Sequence, residues 1–269
     1  MSTATPNSTA ATTYYNMATI YYQKEEYDKA LESLTLARNA WEKELGKNHS
    51  TIAGVYNNMA IICLDKGDYN KALEYHLSAL GIQKNALGKN HPDTAASYNN
   101  IAVVYCRKQE YEKAIEYYSL ALDIREKILG KSHPQTTQTL NNMSFAYYDL
   151  GSKYYVGKGV PQSFEKAAEL FLKSADLGNT HAIQTIVELA VLYYTGKGIS
   201  QDDKKAAELF QKAVELGNAD AMFMLGGMYL QGRGVPQNNI KCAELSLQAA
   251  KLGHADAIKL VTKAGIKLT

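Results

Sequence analysis

The chain has little cysteine, little proline and a single tryptophan. Three cysteines (Cys63, Cys106, Cys242) in 269 residues exclude a disulfide scaffold. They point to a reducing compartment, so a cytoplasmic location is expected. No apolar run approaches the roughly 18–20 residues that would span a bilayer, so no membrane partner is expected. Neither sign of charge dominates: 29 basic and 27 acidic residues give a net charge of +2. Up to residue 150 there are 15 Lys/Arg against 16 Asp/Glu, and after it 14 against 11. That balance excludes the basic footprint of a nucleic-acid binder. Met1 to Thr13 is rich in Ser, Thr and Ala, with no positive n-region and no apolar core. It is not a secretory signal, and residues 1–12 are expected to be a disordered tail. The chain as a whole is 46% hydrophobic and 21% charged, the composition of an ordinary globular chain.

What is present is repetition. Tyr14-Tyr15-Asn16-Met17-Ala18 returns as Tyr56-Asn57-Asn58-Met59-Ala60, Tyr98-Asn99-Asn100-Ile101-Ala102 and Leu140-Asn141-Asn142-Met143-Ser144, with a step of 42 each time. Tyr27-Asp28-Lys29-Ala30-Leu31, Tyr69-Asn70-Lys71-Ala72-Leu73 and Tyr111-Glu112-Lys113-Ala114-Ile115 keep the same step, as do His49, His91 and His133. Within a unit, Ala72, Tyr75, His76, Ala79 and Ile82 follow helical spacing. Gly88 stops that helix, and Pro92-Asp93 suits the first turn of the next. Each unit is therefore expected to be two antiparallel helices of about 15 and about 18 residues. Ala60, Ala72 and Ala79 are small where the pair must cross closely.

These residues resemble tetratricopeptide repeats of the long, 42-residue, kinesin-light-chain-like kind, over residues 13–149. Three full repeats and one further first helix are expected. After residue 150 the pattern changes. Leu150-Gly151, Tyr154, Gly157 and Gly159 return as Leu189-Ala190, Tyr193, Gly196 and Gly198, then as Leu225-Gly226, Tyr229, Gly232 and Gly234. Each set precedes a second helix, such as Lys166-Ala167-Ala168-Glu169-Leu170-Phe171 or Lys205-Ala206-Ala207-Glu208-Leu209-Phe210. This resembles three Sel-one-like repeats over residues 150–258, closed by a capping helix near 256–265 that Lys259, Lys263 and Lys267 make polar. The fold class expected is all-α: a right-handed α-solenoid of antiparallel helix pairs, about thirteen helices in all.

Two seams stand out. The step from Gly157 to Gly196 is 39, but from Gly196 to Gly232 it is 36. The three extra residues fall between Ala182 and Leu189. They predict either a longer helix or a π-type bulge. At the junction the two registers differ by seven residues, close to two helical turns. One helix over about 135–156 satisfies both, which predicts a continuous helix across the junction and one rigid fusion without a linker.

No catalytic constellation or cofactor motif is visible. His49, His91 and His133 occupy identical loops one repeat apart, too far to share a metal ion. The Gly-x-Gly pairs follow helices, not strands, so a dinucleotide reading fails. The recurrent chemistry is the column Asn16, Asn58, Asn100 and Asn142. An amide offers two donors and an acceptor, and one amide per repeat suits the backbone of an extended peptide. The resemblance implies that this first-helix position lines a concave groove that binds a protein or peptide segment. Gln23, Asp65, Arg107 and Asp149 stand at the matching position two helical turns on. With Arg107 the only cation there, a neutral or basic segment fits as readily as one ending in a clamped carboxylate. The adjacent column Asn57, Asn99 and Asn141 leaves the alternative that one set only bonds neighbouring helices. The function expected is a non-enzymatic scaffold with no metal, cofactor or small-molecule substrate. A self-assembling structural component is the alternative.

Overall fold

The computed structural model describes residues 6–266. Among these the secondary structure is helical throughout. In chain order the helices are α1 (Pro6–Gln23), α2 (Tyr27–Leu45), α3 (Ser50–Asp65), α4 (Tyr69–Ala86), α5 (Pro92–Arg107), α6 (Tyr111–Leu129) and α7 (Pro134–Val156). There follow α8 (Phe164–Asp176), α9 (Thr180–Thr195), α10 (Asp203–Glu215), α11 (Ala219–Gln231), α12 (Asn239–Lys251) and α13 (Ala255–Lys263). The chain divides inside α7 into two compact units, one through Met143 and one from Ser144. In each unit a helix packs on the next in sequence, so each is an all-α stack of antiparallel pairs.

α1 begins at Pro6, so residues 6–12 are helical where the composition suggests a disordered tail. Pro suits a first helical turn, and Ala11 is fully buried, so this stretch has an apolar surface to cover. Residues 1–5 of that expected tail lie outside the described residues, as does Lys267 of the expected cap.

In the first unit the alanines set the approach of each pair. Ala60, Ala72 and Ala79 have no exposed surface. A larger side chain there would overpack by about 1–3 kcal/mol. Polar groups inside the stack change in matched pairs from repeat to repeat. Trp41 stands opposite the register of Val55. One repeat on, Gln83 accepts a bond from Ser97 Oγ at 2.6 Å. Another repeat on, buried Arg125 donates to the Gln135 carbonyl at 2.8 Å and to Thr139. Burial holds the Arg125 guanidinium below its usual pKa.

The turn after each first helix has one residue in the left-handed region. It is Glu25 (φ 59°), Gly67 (φ 79°) and Gln109 (φ 60°) in successive repeats. The fourth equivalent, Gly151, lies inside α7 instead. A Cβ on Gly151 would stand 2.8 Å from the Phe171 ring, so the missing side chain lets α8 close on α7.

Every helix of the second unit from α8 to α12 begins on a side-chain cap. Ser163, Asn179, Asp202, Asn218 and Asn238 each accept a backbone N–H of the first turn. The three extra residues near Ala182 lengthen α9 to 16 residues against 13 in α11, as regular α-helix without a bulge. The glycine pairs form the tight turns: Gly196 (φ 68°) caps α9, and Gly198 (φ 77°) reverses the chain. The signature lysine of each repeat covers the signature tyrosine. Lys166, Lys205 and Lys241 stand 5.0, 5.3 and 4.9 Å from the Tyr154, Tyr193 and Tyr229 ring centroids. The last helix pair is less polar than its lysines suggest. Ile240, Leu252 and Leu260 are 72%, 57% and 48% exposed.

Candidate functional site

The repeat histidines sit at helix starts. His49, His91 and His133 accept the backbone N–H of Thr51, Asp93 and Gln135 through Nδ1, at 3.2, 3.1 and 3.2 Å. Each is thus held as the N-cap of its own helix. His76, by contrast, is buried and bonded to Asn57 Oδ1 at 3.0 Å.

The two asparagine columns diverge. Asn57 is taken up by His76, and Asn99 accepts from Thr139 at 3.5 Å. These amides join neighbouring helices inside the first unit. In the other column Asn16 is exposed, while Asn58, Asn100 and Asn142 are half-buried. Asn58 donates to the Tyr15 hydroxyl at 2.6 Å, so it also reaches the preceding repeat. Asn16, Asn100 and Asn142 have no side-chain hydrogen bond among the described residues. Amides that are half-buried and unbonded retain their full donor and acceptor capacity.

Two helical turns on, Gln23 and Arg107 are exposed. Asp65 accepts from the Tyr22 hydroxyl at 2.6 Å, which with partial burial pushes the Tyr22 pKa up to about 12. Asp149 belongs to the second unit and is exposed at the surface, where partial desolvation raises its carboxyl pKa. In the first unit Asn16, Asn58, Asn100, Asn142, Gln23, Asp65 and Arg107 lie on first helices, and the hydrogen bonds made by Asn58 and Asp65 tie α3 to α1.

Sequence reasoning missed the apolar partner of this column. Thr19, Ile61 and Val103 stand three residues after the asparagines, at the same step of 42. Residues three apart share a helix face. Ile61 is 39% exposed, and with Ala18, Tyr22, Leu34 and Asn58 it lines a cavity of about 250 Å³ between α1 and α3. The signal was available: the same 42-residue step, applied one turn beyond the asparagines.

Comparison with known families agrees with this repeat structure. Tetratricopeptide repeat models match residues 10–51, 51–105 and 93–153, and the Sel1 repeat model matches 144–179, 185–218 and 219–254. Among solved structures, nearly identical TPR-like repeats from Podosopora anserina, described as kinesin light chain, share 21% identity. That match covers 76% of this chain and 93% of the other, with a TM-score of 0.48. A Sel1 repeat protein from Oxalobacter formigenes shares 24% identity over 48% of this chain and 96% of its own, with a TM-score of 0.36. The cysteine rich protein B of Helicobacter pylori shares 26% over 56% and 94%, with a TM-score of 0.32. Curated protein sequences give no match. No helix among the described residues is long and apolar enough to cross a membrane. Repeats of both kinds are generally non-enzymatic scaffolds for protein–protein interaction. The chain belongs to the tetratricopeptide repeat family, with Sel1 repeats carrying the pattern on through its second unit.

Proposed function

We propose that this chain is a non-enzymatic, cytoplasmic scaffold whose first unit binds an extended peptide or protein segment along its first-helix groove. The carrying observation is the contrast between the two asparagine columns. Asn57 and Asn99 are committed to neighbouring helices, whereas Asn16, Asn100 and Asn142 are unbonded. Asn58 is shared with Tyr15, and the donors and acceptors left open on Asn16, Asn100 and Asn142 suit the N–H and C=O groups of a peptide backbone. The Ile61 cavity beside them suits one apolar side chain of that segment. Gln23, Asp65 and Arg107 then flank the segment, and Asp149 stands at the matching position in the second unit. The site asks for no metal, cofactor, nucleic acid or small-molecule substrate.

The test is affinity capture from source lysate with a mass-spectrometric readout. Wild type is compared with the Asn16/Asn58/Asn100/Asn142→Ala variant, after circular dichroism shows both to be folded. Each lost hydrogen bond to the bound segment removes about 0.5–1.5 kcal/mol, so a wild-type prey falls by roughly tenfold or more. Equal recovery by both proteins overturns the reading and leaves the column as a helix-to-helix ladder.

A second reading rests on the exposed Ile240, Leu252 and Leu260 at the α12–α13 end. An apolar end favours self-association. A concentration-dependent oligomer in sedimentation, dispersed by Leu252→Lys and Leu260→Lys, would support it. A monomer at all concentrations would remove it.

A further inference from the structure

The second unit has a face of its own with a definite chemistry. α9, α11 and α13 are its first helices, and together they line a cavity of about 560 Å³. The floor is apolar, built from Val187, Val191, Phe223 and Met224. The rim is acidic: Glu188 on α9, Asp220 on α11 and Asp256 on α13. No lysine or arginine lines it. Asp256 is paired with Lys259 at 3.0 Å, so its charge is already balanced. Glu188 has no ion-pair partner among the described residues.

His254 fixes the remaining carboxylate. Its Nδ1 accepts the Ala257 N–H at 3.2 Å, which places the ring hydrogen on Nε2. Nε2 stands 3.5 Å from Asp220 Oδ1, and the ring stacks on Phe223 with centroids 4.5 Å apart. The helix cap thus holds an aromatic plate on the floor and keeps Asp220 at the rim. The cavity draws on three successive first helices, about 10 Å apart each, so it favours an elongated occupant of roughly 20 Å over a compact one. The larger cavity on the second-helix side, about 760 Å³, is lined by both signs of charge, and its Lys205 is paired with Glu165 at 2.8 Å. It selects no partner by charge.

We propose that the α9–α11–α13 face docks a cationic amphipathic segment of another protein, its apolar side chains on Val187 and Phe223 and its Lys or Arg on Glu188 and Asp220. Apolar floor with a one-signed rim gives both burial and selection: the floor supplies contact, and the rim rejects acidic segments. This site is independent of the asparagine column and survives the failure of that reading.

The test uses fluorescence anisotropy on the full chain. The probes are labelled peptides of about 8 residues, roughly 26 Å when extended. One alternates Leu and Lys, the second replaces Lys by Glu, and the third replaces Leu by Ser. Only the Leu/Lys probe is expected to bind, more weakly as salt rises. Glu188→Lys/Asp220→Lys should weaken it by about tenfold or more, and the isosteric Glu188→Gln/Asp220→Asn by severalfold. Glu208→Lys/Glu244→Lys makes the same change in net charge elsewhere and should leave affinity within about twofold. Equal loss in that control, equal binding of the Glu probe, or no binding at about 1 mM overturns the proposal. So does a dimer in sedimentation that Glu188→Lys/Asp220→Lys dissolves, which would assign the face to a second copy.

Discussion

His76 carries the strongest consequence of any single residue. It is 1% exposed, and burial depresses its pKa from 6.5 to about 4. In the native stack it is neutral and donates from Nδ1 to Asn57 Oδ1. The unfolded chain binds a proton more readily, so between about pH 4 and 6.5 it holds more protons than the native state. Stability from this group is therefore complete above pH 6.5 and is lost as pH falls toward 4, up to about 3 kcal/mol. Urea unfolding at a series of pH values should show that fall in wild type, with the slope reduced in His76→Leu. An identical slope in both proteins would show that His76 titrates freely. Leu is the natural choice because Leu34 fills the same register position in the first repeat and is also buried.

Helices were the most legible level of the sequence, and their ends were the least. The 42-residue step and the Gly-x-Gly pairs expose the pairing of elements because apolar burial imposes a period and tight turns impose glycine. The histidine caps were not legible. Ser, Thr, Asp and Asn are the usual cap residues, and nothing in spacing alone says that a ring nitrogen will take their place. The start of α1 was missed for a related reason. A Ser/Thr/Ala-rich stretch reads as tail until Ala11 is seen to be covered by packing, which belongs to the tertiary structure. Of the candidate site, the asparagine period was visible, but which column is open was not. That depends on His76 and Thr139 reaching Asn57 and Asn99 from other helices.

α7 is the element where the two repeat types meet. It runs for 23 residues, and its Gly151 stands where the preceding repeats turn. We propose that it remains one uninterrupted helix in solution and joins the repeats without a linker. Limited proteolysis separates the outcomes. Backbone held in a helix is a poor substrate, so early cuts should fall in loops such as those near Gly130 and Gly159. Preferential early cleavage between Tyr147 and Tyr155 would sink the continuous helix.

At the scale of each unit, packing among the described residues runs mainly between helices next to one another in sequence. A few bonds skip one helix, as Asn99 to Thr139 does, so stability within each unit is approximately a sum over neighbouring repeats. Such a sum need not be level. Ile52, Val55, Ile101 and Val104 are buried in the middle of the first unit, as are Ile186, Leu189, Phe210 and Leu225 in the second. The α12–α13 end leaves Ile240, Leu252 and Leu260 between 48% and 72% exposed and buries few large side chains. Opening there costs less apolar burial, at about 25 cal/mol per Å², than opening inside either unit. Native-state hydrogen exchange followed by mass spectrometry should therefore show a gradient. Amides of α3 to α6 and of α9 to α11 should exchange slowest, and those of α12 and α13 fastest among the helices, by opening without global unfolding. If α13 exchanges as slowly as α9, either a partner covers the apolar end or the chain unfolds as one cooperative body. Dilution distinguishes the two, because protection conferred by self-association falls with concentration and protection from cooperativity does not.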